Sequence, residues 1–135
     1  SPHSKWESLR WESDDSLGSR FGFGGSLEMV RSTMEETKYP SENFVFVKGL
    51  VEDTIPTTCP KQIAYLRLDT DWYSSTAHEL EYLFPLLSVG GILVIDDYGY
   101  YKGSRKATDE YIKKNNIQIL LSRISELGVR EGIKQ

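Results

Sequence analysis

The chain has 135 residues, 39% of them apolar and 27% charged, and carries a net charge of −4. That size and balance fit one soluble domain and argue against a broad nucleic-acid-binding face, which needs positive charge to displace counterions. No apolar run approaches the ~20 residues that cross a bilayer, and a lone Cys59 excludes an internal disulfide or a cysteine-built zinc site. The polar start Ser1-Pro2-His3-Ser4-Lys5 is no secretory signal, so a cytoplasmic protein is the simplest reading.

Residues 1–25 are polar, with Trp6, Trp11, Phe21 and Phe23 scattered among them, and follow neither the helical nor the strand period. They read as a loop or lid ahead of a single α/β core over 26–135. Gly22-Phe23-Gly24-Gly25 has no strand before it and the wrong spacing for a dinucleotide fingerprint. Ser26 can cap a helix through Leu27, Met29, Val30 and Met34, which Lys38-Tyr39-Pro40 ends. Residues 43–49 are rich in β-branched and aromatic side chains and predict a strand. A turn-rich connection over 52–60 follows, and then a strand at 63–68.

A helix over 75–87 is expected next, stopped by Ser88-Val89-Gly90-Gly91, which opens a strand at 91–95. Residues 103–115 form another helix, with Ala107, Tyr111 and Ile112 roughly on one face. Two last strands, at 117–121 and 129–133, join through Glu126-Leu127-Gly128. Strands alternating with helices predict an α/β layer fold, mainly parallel, with an antiparallel carboxyl-terminal hairpin.

Chemistry gathers where two apolar runs stop. Ile63 to Leu68 ends in Asp69-Thr70-Asp71, and Gly91 to Ile95 ends in Asp96-Asp97-Tyr98. Two strands of one sheet joined by a helix are parallel, so both acidic groups emerge at the same edge. Open α/β sheets place ligands at that edge. Carboxylates converging there repel one another unless a proton or cation joins them. Oxygen donors without His or Cys suit a hard cation of the magnesium type. Lys102, Arg105 and Lys106 follow closely, either balancing charge on a helix or gripping a polar substrate.

Read as one string, Leu66-Arg67-Leu68-Asp69-Thr70-Asp71-Trp72-Tyr73-Ser74-Ser75-Thr76 resembles a signature of the macrocin O-methyltransferases. Pro85, Ser88-Val89-Gly90-Gly91, Ile95-Asp96-Asp97-Tyr98-Gly99 and the Gly103 to Tyr111 segment are similar to it in order and spacing. Val45 to Thr54 looks like the family's preceding strand and its Gly-x-x-x-Asp-Thr loop. The resemblance implies a partial Rossmann-like methyltransferase sheet that starts midway through the family's fold, with its first two strands and Gly-rich cofactor loop absent. It implies an S-adenosylmethionine-dependent, magnesium-assisted transfer to a hydroxyl of a sugar or related small molecule. Position by position it makes Asp69, Asp96 and Asp97 the metal ligands and Asp69 also the base. It sets Gly49, Leu50 and Val51 by the cofactor, and Tyr73 and Arg105 by the substrate. The strand edge at 63–68 would be left open, free to pair with a second copy. Two alternatives stand beside this: a non-catalytic module of the same fold, and an Asp-x-Asp metal-dependent glycosyltransferase.

Overall fold

The computed structural model describes residues 26–135, so the loop or lid expected over 1–25 lies outside the described residues. Helix α1, Leu27–Glu36, starts where Ser26 accepts the Met29 N–H at 3.2 Å, and none of its residues is buried. A 3-10 turn at Ser41–Asn43 and one helical turn, α2, Val51–Thr54, follow. Strand β1, Ile63–Leu68, leads through α3, Tyr73–Leu83, and a 3-10 turn, Phe84–Leu86, to β2, Leu87–Ile95. Helix α4 is Lys102–Lys114, and β3, Ser122–Arg123, with β4, Arg130–Ile133, closes the chain.

The sheet order is β1-β2-β4-β3, with β1 and β2 parallel and the other two ladders antiparallel. The α/β layering and the antiparallel carboxyl-terminal hairpin are as the sequence implies. The segment at 43–49 corrects one expectation. It is extended at Phe44 but joins no ladder, and Val45 is 80% exposed. Its composition suits a strand, yet pairing needs a neighbour, and β propensity is mostly a measure of such neighbours. The Phe44 ring instead meets those of Tyr39 and Phe46 at a tilt, with Arg31 of α1 over Phe46.

Two boundaries also differ. Helix α3 ends at Leu83, four residues early, because Pro85 cannot continue the hydrogen-bond ladder. The chain is already a strand at Leu87, and Gly90, at φ +83, is taken up where the β1–β2 register slips. A glycine inside a strand marks such a bulge. The last hairpin pairs at 122–123 rather than 117–121. Ile117, Ile119 and Leu121 nevertheless keep the period of two and pack against the core.

That core joins Ile63, Leu66 and Leu68 of β1 to Leu80 and Leu83 of α3 and to Leu87, Leu93 and Ile95 of β2. In β1 the alternate residues, Tyr65 and Arg67, face outward. No helix among the described residues is long and apolar enough to cross a membrane.

Candidate metal centre

Register fixes the site. Leu68 pairs with Ile95, and the Asp96 N–H donates to the Leu68 carbonyl at 3.0 Å. Asp69 and Asp96 therefore leave neighbouring parallel strands side by side. Asp97 turns inward and is 6% exposed. Asp69, Asp96 and Asp97 each offer one carboxylate oxygen, and these atoms all lie within 4.8 Å of one another.

The turn after Asp69 is tightly specified. Asp71 adopts φ +66, a left-handed conformation that Asp tolerates better than most residues, and its N–H donates to Asp97 Oδ2 at 3.2 Å. The Thr70 carbonyl accepts the Trp72 N–H at 2.7 Å and the Ser75 hydroxyl at 3.2 Å. The Thr70 hydroxyl donates to Glu79 Oε2 at 2.9 Å. Behind the second acidic pair, the Gly99 N–H donates to the Gly128 carbonyl at 3.0 Å. A Cβ on either glycine would fall 2.5 Å from the other's Cα, so this approach requires both to be glycine.

Electrostatics reflect the crowding. Burial, then the charge of Asp71 and its neighbours, raises the Asp97 carboxyl to about 8. Burial and Asp96 also raise Asp69. One cation already answers them. The Arg67 guanidinium reaches Asp96 Oδ1 at 2.6 Å and Asp69 Oδ2 at 3.3 Å. Sequence reasoning gave Arg67 no role, because the face that a charged residue takes on β1 is set by the packing around the strand. It missed Glu79 as well, 5% exposed, because depth below a turn is invisible in a helix pattern.

The other expected site residues fall around this cluster. Tyr73 is buried between α3 and α4; its hydroxyl donates to Glu110 and Lys106 lies over its ring. It also borders a cleft of about 1050 Å³ between those helices, lined in part by Ala77, Glu81, Ala107 and Tyr111. Arg105 stands over the ring of Tyr98, next to Asp97, and pairs with Asp109 at 3.8 Å. Gly49 and Leu50 lead into α2, which Val51 opens, and the Leu50 carbonyl accepts the Asp53 and Thr54 N–H groups. Among the described residues, no hydrogen bond joins these three to the acidic loops. Leu50 is 68% exposed, whereas Val51 is half-buried.

Comparison with known proteins adds the following. Residues 14–130 match the family model described as macrocin-O-methyltransferase (TylF). The chain is 37% identical over 103 residues to the 8-demethyl-8-(2,3-dimethoxy-alpha-L-rhamnosyl)-tetracenomycin-C 4'-O-methyltransferase of Streptomyces olivaceus, covering 76% of this chain and 39% of that protein. It is 38% identical over 104 residues to the demethyldecarbamoylnovobiocin O-methyltransferase of Streptomyces niveus, covering 77% of this chain and 40% of that one. Among solved structures, the O-methyltransferase NovP superposes with a TM-score of 0.76 at 34% identity, over 82% of this chain and 45% of its own. The chain thus spans about two fifths of the length of the curated relatives it matches.

Proposed function

The chain belongs to the macrocin O-methyltransferase family, and we propose that it carries the metal-binding, acceptor-facing part of an S-adenosylmethionine-dependent sugar O-methyltransferase. The observation that supports this most is the convergence of Asp69, Asp96 and Asp97 within 4.8 Å at the carboxyl edge of two parallel strands.

The residues fit a hard divalent cation. All three donors are carboxylate oxygens, the set that magnesium-type ions prefer, and Asp97 is buried beside two other acids with its proton affinity raised. A buried carboxylate in that state is stabilised by either a proton or a cation. When bound, such an ion supplies charge that lowers the pKa of an acceptor hydroxyl. The chain's own residues do the rest. Asp69, half exposed at the strand end, is the carboxylate that would take the hydroxyl proton. Asp96 and Asp97 would complete the ligand set, and Arg105, on the Tyr98 ring, would border the place for a sugar acceptor. The donor side is different. Gly49 and Leu50 are exposed there and Val51 is half-buried, and these three would give one edge of the cofactor's place.

The Arg67 bridge favours a second reading, in which the acids form a structural ion-pair network in a non-catalytic module. Titration calorimetry separates the two. On the first reading the chain is expected to take up one magnesium ion, displacing protons, and to bind S-adenosylmethionine weakly by itself. Absence of any magnesium heat across pH 6–9 on the order of millimolar metal would leave the ion-pair reading standing.

A further inference from the structure

A buried Glu that pairs with no cation is unusual. Among the described residues Glu79 is one: it is 5% exposed on the inner face of α3, and its partner there is the Thr70 hydroxyl at 2.9 Å. Thr70 sits between Asp69 and Asp71, so this bond fastens the middle of the acidic turn to the helix beneath it. The Thr70 carbonyl is held as well, by Trp72 and Ser75. With the hydroxyl and carbonyl of Thr70 held, the next residue enters the left-handed conformation at φ +66 and points its N–H at Asp97 Oδ2. A connected path therefore runs from Glu79 through Thr70 and the Asp71 amide to Asp97.

We propose that Glu79 is a positioning residue: through the Thr70 hydroxyl it sets the acidic turn, and so the mutual placement of Asp69 and Asp97. The proposal rests on the metal-site reading for its consequence but not for its geometry. An outer residue that orients ligands in this way is typically worth 10–100-fold in metal affinity. The group needed at position 79 is a hydrogen-bond acceptor rather than a charge. Gln supplies an amide oxygen in the same place, whereas Leu supplies none.

The test has two arms on the same proteins, Glu79→Gln, Glu79→Leu and Thr70→Val, each checked for an unchanged far-ultraviolet dichroism spectrum. Without metal, amide hydrogen exchange at Asp71 is expected to quicken about tenfold in Glu79→Leu and Thr70→Val, the scale of one lost hydrogen bond. In Glu79→Gln it stays near that of the parent. With magnesium added, affinity falls about tenfold in the first two variants and is kept in the third. Unchanged Asp71 protection in Thr70→Val overturns the proposal, as does a Glu79→Gln variant as damaged as Glu79→Leu. If Glu79→Leu does not fold, the near-isosteric Thr70→Val carries the decision. If the parent chain binds no magnesium, the functional reading fails, while the exchange arm still decides the role of Glu79.

Discussion

Asp97→Asn is expected to abolish magnesium binding, by at least about a hundredfold, and to leave the fold intact. Loss of a group that merely orients a ligand already costs 10–100-fold, and Asp97 is the most deeply buried of the three acids. The fold should tolerate the change because the native protein already disfavours charge there. Burial and the neighbouring Asp71, Asp69 and Asp96 raise this carboxyl to about 8, so a neutral amide of the same shape relieves repulsion. Calorimetry with magnesium and a thermal melt of the metal-free protein check both halves. Arg67→Met should move affinity the other way, several-fold tighter, since the guanidinium now shares Asp69 and Asp96. An Asp97→Asn protein with parental magnesium affinity would remove the site.

The second large effect is a pH dependence of stability that traces to Glu79. Burial raises its carboxyl from the ordinary 4.5 to about 7, against a lowering by the Thr70 bond, with Glu52 and Asp69 adding to the rise. The unfolded chain ionises near 4.5, whereas the folded one keeps its proton until about 7. Its contribution is therefore fully present below about pH 4.5 and is lost as pH climbs through 7. The loss approaches about 3 kcal/mol by pH 8. Glu79→Gln does not titrate and keeps an acceptor for Thr70. Its stability in urea should match the parent near pH 4.5 and exceed it by about 3 kcal/mol at pH 8. Two stability curves that run parallel from pH 4.5 to 8 would contradict this.

The carboxyl edge was legible in the sequence because strong signals coincide there: an apolar run, an acidic stop, a crossover helix, and the same again. Length and a mostly apolar run identify 63–68 as a strand, and the connection then dictates that it and 91–95 are parallel. Where local preference had to stand without a partner, as at 43–49, it misled. Ser88 to Gly91 read as the stop of a helix because glycine signals both a helix end and a bulge, and only the neighbouring strand distinguishes them. At 117–121 the alternation of Ile117, Ile119 and Leu121 reports burial correctly but not pairing. Arg67 and Glu79 were hidden for another reason. Their roles depend on which face and what depth the tertiary packing assigns, and one charged letter in a strand or helix says neither.

The contact between Gly99 and Gly128 ties the acidic loop to a tail that bears no chemistry of its own. Neither position can acquire a methyl group without evicting the other's main chain. Substitutions in the two segments should consequently be inherited as a pair, and trimming the carboxyl terminus would unlatch residues far upstream.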